Sequence, residues 1–158
     1  MSLLEFCQWL QFSPPLVAMR ASPWLFPAIA TIHLMGLAII GGAVLLVDLR
    51  LLGLGLWRQP VAHLAHDAER WLFRGLVIMV STGILLFMCF ATKYYFLTFF
   101  WVKMAALVLV CAFTVSVRRA VVMADDTHVT PVRGKLVALV SLSLWTTVAL
   151  GGRYIGFP

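Results

Sequence analysis

Few residues of this chain can do chemistry, and most of them stand where an apolar sequence makes them conspicuous. His33 lies about a third of the way into the run from Trp24 to Gly53; Asp48 lies near its far end, followed by Arg50. An ionisable group inside such a run is costly in hydrocarbon, so it is read first as a functional candidate. A lone imidazole in a helical bundle can be a haem axial ligand, a copper ligand, a proton-relay member or a hydrogen-bonded polar residue. His33 and Asp48 are 15 residues apart, about 22 Å along a helix axis. They therefore belong to opposite halves of a bilayer and form no common site.

Three further sets are candidates. Lys103 and Arg153, with Tyr94 and Tyr95, form a cationic and aromatic ring on the His33 side. Such a ring suits haem propionates, lipid phosphates or a quinone headgroup, and equally suits plain interface anchoring. His63, His66 and Asp67 place two imidazoles at i,i+3, a spacing able to hold a metal, and His128 beside Asp125 and Asp126 could close such a site. The plainer reading is a solvated loop with Asp67 as a helix N-cap. Met79, Cys89, Met104 and Cys111 are soft ligands scattered over several turns, too irregular for a copper ladder.

Some chemistries are disfavoured outright. Cys7, Cys89 and Cys111 lack CxxC or CxxCH spacing, so neither zinc nor covalently attached haem is signalled. His63, His66 and His128 all fall on the side opposite His33, so a bis-histidine haem lacks its second ligand. Met88 and Met104 remain as candidate axial partners, which leaves a His/Met haem, a five-coordinate haem or none. No Ser/His/Asp set, paired carboxylate or phosphate loop implies a self-contained hydrolase or transferase.

The elements that must position these residues are apolar helices. Of 158 residues, 63% are hydrophobic and only 11% charged, far from an ordinary soluble domain. Four runs, about 24–53, 71–92, 97–117 and 132–152, each supply the roughly 20 residues that cross a hydrocarbon core. Residues 2–12 read as a short interfacial helix, stopped at Ser13-Pro14-Pro15. No positively charged leader or cleavage site precedes the first span, so none is expected. The fold class is all-α: a polytopic membrane protein, an antiparallel four-helix bundle in a single integral domain covering 1–158.

The net charge of +6 does not point to nucleic acid, because the basic residues cap apolar runs instead of forming a patch with interleaved aromatics. Arg50, Arg58, Arg70, Arg74, Arg118, Arg119, Arg133 and Lys135 flank the first and third loops; Arg20, Lys93, Lys103 and Arg153 flank the other side. The positive-inside rule then puts those two loops in the cytoplasm and both termini outside, which is the periplasm if the host is a Gram-negative bacterium. Within the spans, Lys103 is expected to snorkel outward. Asp48 is expected to join a charge network with Arg50, Arg118 or Arg74. Gly75, Met79, Thr82, Leu86 and Cys89 form one seam, and Ser141, Trp145, Val148 and Gly152 another.

Several phrases together resemble an uncharacterised family of small bacterial four-span inner-membrane proteins. They are Ile32-His33-Leu34-Met35-Gly36-Leu37, Asp48-Leu49-Arg50-Leu51-Leu52-Gly53, Thr82-Gly83-Ile84-Leu85-Leu86-Phe87, and Leu144-Trp145 with Gly152-Arg153-Tyr154-Ile155-Gly156. The family is more distantly similar to the transmembrane region of copper-resistance protein D and to cytochrome-b-like bundles. The resemblance implies the fold and singles out His33, Asp48, Arg50, Trp145 and Arg153. It also implies a further histidine at the end of the third span, where this chain reads Thr114-Val115-Ser116-Val117-Arg118.

The expectation is a redox-associated membrane subunit binding haem b or a quinone near His33, Met88, Lys103, Met104, Trp145 and Arg153. It would serve another membrane or periplasmic subunit, or act as a homo-oligomer. A cofactorless accessory or scaffold subunit and a copper-handling permease are the alternatives.

Overall fold

The computed structural model describes residues 2–54, 61–122 and 131–155. Two short helices lead in. Helix α1 (Leu3–Gln11) starts in a capping box, with Glu5 N donating to Ser2 Oγ at 3.2 Å and Ser2 N to Glu5 Oε2 at 2.7 Å. The prolines end α1 but do not end helix: α2 (Pro14–Ala21) begins on them, because the first turn needs no amide donor from proline. Cys7 and Leu16 are buried beneath this pair, while Trp9 and Phe12 remain exposed.

The first long helix, α3 (Leu25–Leu52), accepts Pro27 in its opening turn and ends on Gly53, whose φ of 79° is left-handed. Gly53 N bonds Arg50 O and Leu54 N bonds Leu49 O, the Schellman closure that satisfies the last carbonyls. Helix α4 (Val61–Cys89) begins ten residues before the expected span. Its added turns are amphipathic: Ala65 and Ala68 are buried against Ala43 and Val47, whereas His63, His66 and Asp67 are exposed. Helix α5 (Ala91–Phe96) makes the tight turn into α6 (Thr98–Phe113). A π-helical turn, Thr114–Arg118, and α7 (Arg119–Val122) extend this third span past its expected end; α8 (Pro131–Ile155) is the fourth.

Four segments, 25–52, 63–89, 98–121 and 132–155, are long and apolar enough to cross a membrane. No strand occurs among the described residues, and the chain is an all-α, multi-pass membrane protein. Six hydroxyls along the spans obey the rule for a solvent without water, bonding back to the carbonyl four residues earlier. Thr31, Ser81, Thr82, Ser116, Ser143 and Thr147 all do so at 2.6–2.9 Å.

Packing is closest where glycines meet. A Cβ at Gly75 would stand 2.7 Å from Ile40 Cγ1 and 3.0 Å from Gly36 O, so α3 and α4 touch backbone to backbone. Helix α8 lies between α3 and α6 and completes a core of Ile40, Val44, Met79, Ala106, Val110, Trp145 and Val148. Between α4 and α6 larger side chains fill the space, Phe87 stacking on Phe100 at 5.3 Å. The α1–α2 unit is tied to this end: Gln11 Oε1 accepts from Thr92 N at 2.9 Å, and Arg20 reaches Gln11 O and lies over Phe90.

Gly75→Ala should therefore lower stability by about 1–3 kcal/mol, the cost of overpacking a tight contact. Gly42→Ala, where an added Cβ meets nothing within 4 Å, should leave it nearly unchanged. Denaturation of both variants in detergent micelles checks this; equal midpoints would contradict the close approach.

Candidate functional site

Two polar clusters interrupt the apolar bundle, and each joins the first span to the third. In one, His33 of α3 faces Thr82 of α4 and Lys103 of α6: Nδ1 is 2.9 Å from Thr82 Oγ1, and Nε2 is 3.4 Å from Lys103 Nζ. Proton counting orients the set. Thr82 has one hydroxyl proton and places it on Ile78 O at 2.6 Å, so toward His33 its oxygen can only accept. Nδ1 therefore carries the hydrogen, and Nε2 offers its lone pair to Lys103. Hydrogen bonds run in one direction, from Lys103 to His33 to Thr82 to the α4 backbone.

Glycines make this arrangement possible. A Cβ at Gly83 would come within 3.2 Å of His33 Cε1; one at Gly151 would come within 3.1 Å of Lys103 Cβ, and one at Gly152 within 3.2 Å of Lys103 Nζ. The imidazole lies on a side-chain-free stretch of α4 and the lysine on one of α8. The outward snorkelling expected for Lys103 does not occur, because Gly151 and Gly152 leave an inward channel ending on an acceptor. His33, Thr82 and Lys103 are each half-buried, so the cluster is not sealed from the bundle surface.

The second cluster, about 22 Å away along α3, is buried more deeply. Arg118 Nε donates to Asp48 Oδ1 at 3.1 Å, with Asp48 fully buried and Arg118 7% exposed. Arg118 belongs to the π-helical turn, and such turns commonly re-aim a side chain. Ser141 of α8 faces the same carboxylate and is fully buried. Of the arginines expected near Asp48, Arg118 is the one whose bond to it is seen. Arg119 instead reaches Glu69 at 3.6 Å on the exposed surface, where an ion pair contributes little.

The other expected residues are not all gathered at His33. Trp145 is buried in the core among Val44 and Val110. Met104 is 39% exposed, Met88 is half-buried, and Arg153 is exposed on the last turns of α8. Tyr94 stacks with Phe87 and Phe100 at the α5 turn; burial, with Cys89 nearby, pushes its phenol up, so it stays neutral and serves packing.

His63 and His66 both lie near Asp67, at 3.6 and 4.0 Å, on the exposed face of α4. Asp67 stands in the second turn of that helix, which overturns its reading as an N-cap in a loop. No group of three His, Cys, Asp or Glu able to hold a metal occurs among the described residues. His128, Asp125 and Asp126 lie outside them, as does Arg58.

The chain matches a family of unknown function, DUF6644, over residues 26–158, and belongs to that family. No curated protein and no solved structure matches it. The matched region begins at the first span and contains both polar clusters, whereas α1 and α2 precede it.

Removing one member of the buried pair, as in Asp48→Leu or Arg118→Met, should lower stability by about 3–5 kcal/mol, because the other charge is left unmatched. The double apolar variant should recover most of that loss. Detergent unfolding of the three proteins checks this; additive losses in the double variant would contradict it.

Proposed function

We propose that this protein is a redox-associated membrane subunit that binds a quinone headgroup at His33, Thr82 and Lys103, on behalf of an electron-transfer partner in or beside the membrane. The supporting observation is a lysine ammonium turned inward among apolar helices with one of its donors used. An ammonium carries three donors, and His33 takes one. A quinone is lipid-soluble, enters from the bilayer, and presents carbonyl oxygens that accept such donors. Lys103, seated against Gly151 and Gly152, would hold one carbonyl with the donors that His33 leaves over.

Haem b is the weaker form of this proposal. Iron would need the Nε2 lone pair that faces Lys103, so binding would require that lysine to leave. Copper passage has still less support, since Met104 is turned toward the surface and Met79 into the core. The accessory-subunit reading draws on α1, whose exposed Trp9 and Phe12 offer an apolar face beside the bundle. The host would be a bacterial inner membrane, with the first and third loops cytoplasmic and both termini periplasmic. The distribution of lysine and arginine supports that orientation, and an alkaline phosphatase fusion to the C-terminus should be active.

Titration of the full-length protein in nanodiscs with a short-chain ubiquinone or menaquinone tests the site. Saturable binding is expected, weakened at least tenfold in His33→Ala and in Lys103→Met and unchanged in Gly42→Ala. Absence of saturable binding would overturn the proposal. So would a haem Soret band in the purified protein that His33→Ala removes.

A further inference from the structure

Six hydroxyls in these spans bond back to a carbonyl four residues earlier. Ser141 breaks that habit: its Oγ is fully buried and turned toward the Asp48 carboxylate, but no partner stands within 3.5 Å of it among the described residues. Thr114 Oγ1, Arg118 Nη2, Trp145 Nε1 and Asp48 Oδ2 are buried and unpartnered in the same way. A buried polar atom without a partner costs about 1–3 kcal/mol, so five together call for a common explanation.

By their positions along the helices, all five fall within about two turns of one another in depth. Asp48 is bonded to Arg118, and Thr114 stands one turn before Arg118 in the same π-helical segment. Ser141 faces Asp48, and Trp145, one turn along α8, belongs to the same core cluster as Val44, which stands one turn back from Asp48 on α3. Four of these side chains are at least nine-tenths buried: Asp48 and Ser141 are 0% exposed, Trp145 6% and Arg118 7%.

We infer that this layer is a binding site for internal water, bridging Asp48 Oδ2 to Trp145 Nε1 and Arg118 Nη2 through Ser141. The donor and acceptor types select the ligand. An indole N–H and a guanidinium N–H can only donate, and a carboxylate oxygen can only accept. The occupant must accept from the first two and donate to the third. A metal cation cannot accept, and Arg118 and the indole hydrogen repel it. A halide satisfies the donors but cannot donate to Asp48. Water does both, and buried waters characteristically make about three such bonds. The Asp48 end of the bundle is then a hydrated carboxylate enclosed by protein, cut off from the His33 cluster by the apolar layer of Ile40, Val44, Val110 and Val148.

Magnetisation transfer from water to the ¹⁵N-labelled Trp145 indole proton, in full-length protein in nanodiscs, tests this site. The signal is assigned by its loss in Trp145→Phe. A direct cross-peak from a long-lived water is expected, retained in the conservative Asp48→Asn variant and lost in Ser141→Val. Unaltered circular dichroism of Ser141→Val would show that the loss is local. Three results would overturn the inference: no water cross-peak to the wild-type indole, an indole bonded directly to protein, or an indole shift that follows added chloride or sodium. Quinone titration of the same sample reports separately on the His33 cluster, so the two proposals fail independently.

Discussion

Taking a carboxylate and a guanidinium out of water, into a bundle that is itself immersed in lipid, costs several kcal/mol per ion unless the two meet. Asp48 and Arg118 meet at 3.1 Å, and neither has an alternative in hydrocarbon. That requirement fixes the rotation of α3 and the position of Arg118 about their axes. It also gives the π-helical turn a reason, because the register of α6 must aim residue 118 inward at this depth. The second tie, from His33 to Lys103, joins the same two spans in the same direction. Residues 33 and 103, like 48 and 118, are 70 apart in sequence, as two parallel spans tied at both ends require. The first and third spans are thus connected through long polar side chains, while their closest backbone contacts are made with α4 and α8.

Small residues and polar residues play complementary parts in this scheme. Lipid tails are as apolar as leucine, so burial alone supplies little drive for one span to prefer another. Close approach at Gly36 and Gly75 gives α3 and α4 their contact, and Gly151 brings α8 against the backbone of α6. Those same bare surfaces leave room for an imidazole and an ammonium. The polar cluster at His33 therefore follows from the way the helices pack and needs no loop to hold it.

The four spans and the all-α class were legible in the sequence because length and hydropathy alone decide them. His33 and Asp48 were legible as ionisable residues in an apolar run. What lay between helices was not. Lys103 turns inward because two glycines 48 and 49 positions later on another helix carry no side chain, and nothing within its own span encodes that. Helix α2 was missed because proline reads as a stop although it also starts helices, and the first turns of α4 because their histidines and acids resemble a loop. The choice of Arg118 over Arg50 or Arg74 depends on a π-helical turn that periodicity cannot register. Thr82, which orients His33, stood in the α4 seam without a role, since an i−4 hydroxyl bond and an interhelical acceptor look identical in sequence.

The orientation of the His33 ring carries the central claim, since it decides which nitrogen a ligand would meet. ¹⁵N spectroscopy of selectively labelled histidine, in full-length protein in nanodiscs, reads it directly. The expected result is a His33 ring with its proton on Nδ1 and a hydrogen-bonded Nε2 that shifts in Lys103→Met and on addition of a quinone. A proton on Nε2, or an Nε2 signal indifferent to Lys103, would contradict the account.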